Sequence, residues 1–279
     1  MSYKSLMTVL RKPAEDTATL AIAADLAEAW GAHLSVLALG TDRLHPGAYY
    51  TGAAAVSIQI SLDDAIEDAK VAEAAAKAAL DGRPIGWETT AAVAQIGAMG
   101  QIVARHGGLM DLVLLPSPYG EDRTVEDVAV LEAALFSTRT PVLVLPPGCS
   151  MPPAPQRILV AWNQSAEALA AIRASLPLLK SAETVDITVI DPPAHDPDRS
   201  DPGGQLAEML ARHGVSAEIS VLAQTMPKVS DVIRRHASDT GADMIVMGAY
   251  GHSRFREAIL GGATRNMLSD ATQPVLMAH

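Results

Sequence analysis

Residues 248–264, Gly-Ala-Tyr-Gly-His-Ser-Arg-Phe-Arg-Glu-Ala-Ile-Leu-Gly-Gly-Ala-Thr, hold the densest set of groups suited to binding an anion. They follow the apolar run Asp243-Met-Ile-Val-Met247, so a buried strand runs into a glycine-rich turn with a helix behind it. Such a turn can hold a phosphate, because backbone N–H groups converge on the anion and the helix N-terminus adds roughly half a positive charge. Glycine permits close approach and positive φ angles that a β-carbon would block. The spacing is Gly248-x-x-Gly251, nine residues, then Gly261-Gly262, which is neither the P-loop nor the dinucleotide-binding glycine pattern. Arg254, Arg256 and Arg265 add positive charge along the segment. A plain β–α connection with solvated arginines accounts for the same letters, and context decides between the two.

Other constellations carry less. No histidine lies in HxxxH or HExxH spacing and Cys149 is the single cysteine, so no metal site is expected. His252 lies in the glycine segment and within reach of a phosphate, while His106, His213 and His236 fall late in helical patterns, where they suit the negative end of the helix. The loop Asp191-Pro-Pro-Ala-His-Asp-Pro-Asp-Arg-Ser-Asp-Pro202 gathers aspartates without EF-hand spacing and reads as a solvated, proline-stiffened segment. There is no GxSxG elbow, SxxK motif or paired-carboxylate pattern, so no residue is assigned a catalytic role.

These groups sit in a chain of 279 residues, long enough for two ordinary domains. Aromatic residues are only 4%, so Ala, Val, Leu and Ile must build the core, as suits helices packed on a parallel sheet. The formal net charge of −11 argues against non-specific nucleic-acid binding, which needs clustered positive charge. A lone cysteine in a proline-rich stretch forms no intramolecular disulfide. Residues 1–9 read as a first strand and not as a signal peptide, and no segment approaches the roughly 20 apolar residues of a membrane helix, so a cytoplasmic protein without membrane contact is expected.

The chain also repeats itself. Asp111-Leu-Val-Leu-Leu-Pro116 aligns with Asp243-Met-Ile-Val-Met-Gly248, and Thr140-Pro-Val-Leu-Val-Leu145 with Gln273-Pro-Val-Leu-Met-Ala278. Residues 6–10 align with 158–162, and 34–39 with 187–191. This predicts a duplicated domain, with copies at 1–146 and 157–279 joined by a stiff, extended, proline-rich linker at 147–156. In the second copy strands are expected near 157–162, 185–190, 216–222, 243–248 and 274–278, with helices near 166–179, 203–213, 228–239 and 264–271. Ser165 is the expected N-cap of the first of these helices, Gly31 and Gly214 are expected C-cap glycines, and a long alanine-rich helix is expected over residues 61–80. The β-α-β alternation implies parallel sheets flanked by helices, two five-stranded sheets in tandem, which bind ligands at the carboxyl ends of their strands.

With these elements in place the chain resembles the universal stress proteins in tandem form. Gly248, Gly251 and Gly261 match the family's glycine pattern, Ile158-Leu-Val-Ala-Trp-Asn-Gln-Ser165 resembles its first strand and turn, and Val189-Ile190-Asp191-Pro192 its second strand end. The resemblance covers both halves in architecture and the second half in motif. It implies ATP or another adenine nucleotide across strands one, two and four of the second half, with Ala161 and Asn163 on the adenine and ribose side and Val189 offering backbone contacts to the base. Gly248, Gly251, His252, Ser253 and Arg254 would wrap the phosphates, and Gly261, Gly262, Ala263 and Thr264 would close the cradle.

Two letters depart from the family pattern: Asn163 stands where an acidic residue is usual, and Gly262 where Ser or Thr is usual. The loss of one hydroxyl donor costs about 1.5–3 kcal/mol. The first half departs further, since Pro116 and Pro118 remove N–H donors and Glu121 and Asp122 add negative charge, so no nucleotide is expected there. The expected function is a stress-response, nucleotide-responsive binding module, with a nucleotide-free interaction scaffold and a weak ATPase as the alternatives. The final strands of the two halves are expected to pair within the chain, because each would otherwise leave a long open edge. A homodimer of whole chains stays open.

Overall fold

The computed structural model describes residues 3–43, 54–192, 201–249 and 262–279. Contacts divide the chain into two compact units, Tyr3–Thr140 and Pro141–His279. Both are α/β.

In the N-terminal unit, β1 (Ser5–Leu10), β2 (His33–Asp42), β3 (Trp87–Gln95) and β4 (Leu112–Pro116) lie in the order β3-β2-β1-β4. The described pairings are all parallel. Four helices accompany them: α1 (Pro13–Trp30), α2 (Ala54–Leu80), α3 (Met99–Gly107) and α4 (Val125–Ala133). β1 and β4 are apolar without alternation because both faces are covered, the pattern of parallel strands. α1 begins with Pro13 in its first turn and stops at Gly31, which takes φ 58 and returns its N–H to the last turn. The alanine-rich helix starts at Ala54, seven residues before the position expected from Ser61, because no breaker interrupts the preceding residues.

In the C-terminal unit the order is β5-β10-β9-β6-β7-β8, from β5 (Val142–Leu145), β6 (Arg157–Ala161), β7 (Thr184–Ile190), β8 (Ala217–Leu222), β9 (Met244–Gly248) and β10 (Val275–Ala278). Helices α5 (Ala166–Leu179), α6 (Gly204–Arg212), α7 (Val229–Asp239) and α8 (Ala263–Asp270) alternate with them. These agree with the sequence expectation to within a residue or so at each end. Ser165 caps α5, its hydroxyl accepting the Ala168 N–H at 3.1 Å.

One feature departs from a pair of purely parallel sheets. β5, the last strand of the first repeat, runs antiparallel to β10, with Val142–Val144 in register with Met277–Val275. The final strands of the two repeats thus satisfy each other's edges. The proline-rich segment between β5 and β6 is not simply extended. It turns at Pro146–Cys149, where the Cys149 N–H reaches the Pro146 carbonyl at 3.2 Å and Gly148 takes φ 70, and it buries Met151. Burial pushes the Cys149 thiol pKa up, so the side chain stays protonated at neutral pH.

A repeated device ties each first strand to its unit. Asp111 Oδ2 accepts the N–H groups of Lys4 (2.6 Å) and Ser5 (3.0 Å), and Asp243 Oδ2 accepts those of Gln156 (2.6 Å) and Arg157 (2.9 Å). This explains why an aspartate precedes the fourth strand in both repeats. Asp243→Ala is expected to cost about 1.5–3 kcal/mol in a urea titration, since two charge-assisted bonds are lost at once. A loss below about 0.5 kcal/mol would show that water replaces them.

Candidate functional site

In the C-terminal unit β6 lies between β9 and β7, so the carboxyl ends of these three parallel strands share one edge of the sheet. β6 ends at half-buried Ala161, in register with Thr188 of β7, and the Trp162 N–H continues the ladder to the Thr188 carbonyl at 2.9 Å. The turn that follows is polar and exposed. Asn163 Oδ1 accepts the Ser165 N–H at 3.2 Å, an Asx turn that leaves the side-chain amide NH₂ facing solvent, and Gln164 takes φ 63. Asn163 therefore keeps the turn an aspartate would make while presenting a donor in place of a charge.

Val189 is buried and paired in register with Val221, so its side chain belongs to the core. The chain leaves the sheet at Asp191, which takes φ 42 and gives its N–H to the Leu222 carbonyl at 3.0 Å. Gly262 precedes α8 with φ −49 and ψ 164, Ala263 is exposed and Thr264 is buried in the first turn. The N-terminal N–H groups of α8 form the positive end of its dipole. Arg234 anchors the opposite end, with Nη1 on the Asp270 carbonyl at 2.9 Å.

The beginning of the glycine segment corrects one expectation. A β-carbon on Gly248 would lie 2.5 Å from the Ala168 nitrogen and 2.8 Å from the Glu167 carbonyl carbon. Gly248 is thus a glycine because the first turn of α5 packs directly on the end of β9, not because a phosphate approaches it there. The Ala249 N–H is also committed, to the Ala278 carbonyl at 2.9 Å, and its carbonyl accepts from His279 Nδ1 at 3.0 Å. An anion cradle therefore does not begin at Gly248 and Ala249. Gly251, His252, Ser253, Arg254 and Gly261, together with Arg256, lie outside the described residues.

The N-terminal unit holds something different at the corresponding rim. Leu6 is in register with Leu112 as Ile158 is with Met244, so Arg11 stands where Asn163 stands. The same registers match Leu34 with Val185, two residues earlier than the sequence alignment placed it. Arg11 is only 8% exposed. Its Nη1 donates to Asp127 at 2.7 Å and its Nη2 to Glu126, with Thr41 Oγ1 at 3.4 Å. Arg43 Nε joins Glu126 at 2.7 Å, and Arg123 Nη1 joins Asp16 at 2.7 Å. Asp16 Oδ2 accepts the backbone N–H groups of Arg11 and Lys12, both at 3.0 Å. The bond to Glu126 pushes the Arg43 guanidinium pKa above its ordinary value, against a smaller desolvation effect.

This cluster ties together the ends of β1 and β2 and the starts of α1 and α4. The cavity left beside Arg11 measures about 20 Å³, room for a water molecule and not for a nucleotide. Sequence reading assigned the negative charge to Glu121 and Asp122, which are exposed; the buried acids are Asp16, Glu126 and Asp127. The available signal was Thr124-Val-Glu-Asp127, a capping box in which the Asp127 carboxylate accepts the Thr124 N–H at 2.7 Å. Among the described residues no three His, Cys, Asp or Glu side chains are grouped to hold a metal ion, and no helix is long and apolar enough to cross a membrane.

Comparison with known proteins agrees with this architecture. The family model described as the universal stress protein family matches residues 155–279. The universal stress protein Slr1230 of Synechocystis is 32% identical over 73 residues, which cover 26% of this chain and 24% of that protein, so the match spans about a quarter of the relative's length. A universal stress protein structure from Archaeoglobus fulgidus superposes with a TM-score of 0.69 at 16% identity, covering 98% of this chain and 96% of that one. The functionally unknown protein PA1789 of Pseudomonas aeruginosa gives a TM-score of 0.56 at 16% identity, covering 99% and 92%. At this identity the structural likenesses establish the fold, and the family model places the sequence likeness to universal stress proteins in residues 155–279.

Proposed function

We propose that the chain is a cytoplasmic tandem universal stress protein whose C-terminal unit binds an adenine nucleotide at the rim formed by β6, β7, β9 and α8, and whose N-terminal unit binds none. On this reading Ala161 and Asn163 border the base and ribose, the backbone leaving β7 after Val189 borders the base, and Gly262, Ala263 and Thr264 at the α8 N-terminus face the phosphates. Gly251, His252, Ser253, Arg254 and Gly261 are assigned to the phosphates by the family pattern. The role is regulatory: ligand binding stabilises this rim and alters a surface read by a partner during stress adaptation.

The observation that carries the reading is the asymmetry of the two rims. In the N-terminal unit Arg11 and its carboxylates fill the strand ends, whereas at the equivalent position Asn163 is exposed and, among the described residues, bonds within its own turn. The test is thermal shift and calorimetry with ATP, ADP and AMP on the full chain. Saturable binding of one nucleotide per chain is expected, with about 2.7 kcal/mol of stabilisation at a hundred times the dissociation constant. No shift and no heat at about millimolar nucleotide would exclude it.

A second reading, a nucleotide-free interaction scaffold, is favoured by the commitment of the Ala249 N–H to Ala278, which takes one donor out of the rim. Partner capture that is indifferent to nucleotide, together with the negative calorimetric result, would select it.

A further inference from the structure

At the opposite rim of the C-terminal unit, where β6 and β7 begin, a groove of about 300 Å³ lies beside α7. Leu159 and Ala242 give it an apolar lining, and Arg157, Asp186, Glu218 and Thr240 bring polar groups to it. Its volume is at the low end of small-molecule sites.

The charges in this groove are only partly paired with each other. Asp186 and Glu218 are directly opposite on adjacent strands, an arrangement that sets like charges side by side. His236 Nε2 meets Asp186 Oδ2 at 2.6 Å, but Asp186 Oδ1 is buried with no hydrogen-bond partner. Glu218 makes no ion pair among the described residues, nor does Arg157, whose Nη1 is held by the Thr240 carbonyl at 3.0 Å. One side of the groove thus carries the Glu218 carboxylate and another the Arg157 guanidinium, neither in an ion pair among the described residues.

The N-terminal unit shows what the same position looks like when it is self-sufficient. Met7, Ser35 and Glu88 form the row equivalent to Leu159, Asp186 and Glu218, each in the same register with its neighbours. There the Ser35 hydroxyl donates to Glu88 Oε1 at 2.9 Å, so a neutral donor serves the carboxylate. With Asp186 in place of that donor, Glu218 has no equivalent hydroxyl from its neighbour, and His236 serves Asp186 alone.

We propose that this groove binds a small zwitterion of the α-amino acid class, its ammonium donating to the Glu218 carboxylate and its carboxylate pairing with Arg157. A single metal ion suits the site less, because Asp186, Glu218 and His236 are not grouped as a ligand set. A ligand with both charges matches the two walls, and the apolar lining between them accommodates a side chain. The inference does not rest on nucleotide binding, since the groove is at the amino ends of the strands and the proposed nucleotide rim is at their carboxyl ends.

The test is calorimetry of the full chain with each of the standard L-amino acids, with ethanolamine and acetate as single-charge probes. At least one amino acid is expected to bind saturably below about 10 mM. Ethanolamine and acetate are expected to bind at least about tenfold more weakly. Glu218→Gln and Arg157→Met, both at exposed positions, are each expected to weaken the amino acid about tenfold or more while leaving nucleotide binding unchanged. Absence of saturable binding by every amino acid overturns the proposal, as does binding that is indifferent to both substitutions. Nucleotide binding measured in the same samples keeps its failure distinct from a failure of the rim reading.

Discussion

Arg11→Met is expected to lower the stability of the N-terminal unit by about 3–5 kcal/mol, the cost of leaving buried acids without their central cation. Arg11, Asp16, Glu126 and Asp127 are each under one-tenth exposed, so water cannot replace the lost guanidinium without opening the rim. Methionine fills much of the same volume, which isolates the charge from the packing. Trp30 and Trp87 lie in this unit and Trp162 in the other, so a Trp162→Phe background lets fluorescence follow the unit alone during denaturation. The triple replacement Arg11→Met, Glu126→Gln, Asp127→Asn is expected to recover a large part of the loss, because the buried charge is then absent and not merely unpaired. A single-mutant cost below about 1 kcal/mol would mean that Arg43 and Arg123 already balance the acids. Neither variant is expected to gain a nucleotide site, since Pro116 and Pro118 still lack N–H donors.

The second large effect is expected at Gly248. Gly248→Ala places a β-carbon against the backbone of Glu167 and Ala168, which cannot yield as a flexible side chain would. Overpacking of this kind costs about 1–3 kcal/mol, and Gly248→Val more. The movement has to be taken up by the first turn of α5, and with it the Ser165 cap and the Asn163 turn. The variant is therefore expected to lose stability without any ligand present, in contrast to Gly262→Ala, where φ −49 is open to any residue and the cost is within about 0.5 kcal/mol. Urea titrations of the two variants make the comparison. Equal, small losses would return Gly248 to the role of a ligand-facing glycine.

Much of the fold was legible in the sequence. Uninterrupted apolar runs of strand length, helical stripes, the Ser165 cap and the glycines at 31 and 214 are local signals that need no partner to be read, and the described elements follow them. The Asp before the fourth strand has one job in each half, holding the first strand by two N–H groups. Alignment failed at β2 and β7, where apolar letters recur two apart, Leu34 and Val36 against Val185 and Ile187, and cannot fix a register offset by two. Asp186 and Glu218 escaped notice for a related reason: their meeting on one row depends on the pairing of β7 with β8, not on the spacing of either.

The sequence by itself determined the class of the molecule: an α/β chain with an aliphatic core and a glycine segment after a buried strand of its second half. Each of these follows from local residue chemistry or from periodicity along the chain. Only the tertiary structure decided what the rims contain. Arg11 meets Glu126 and Asp127 across more than a hundred positions of sequence, Gly248 is a glycine for the sake of α5, and β5 turns antiparallel to seal β10. Charge neutralisation, close packing and edge pairing act between groups that folding brings together, and their outcomes are written in no single stretch of the chain.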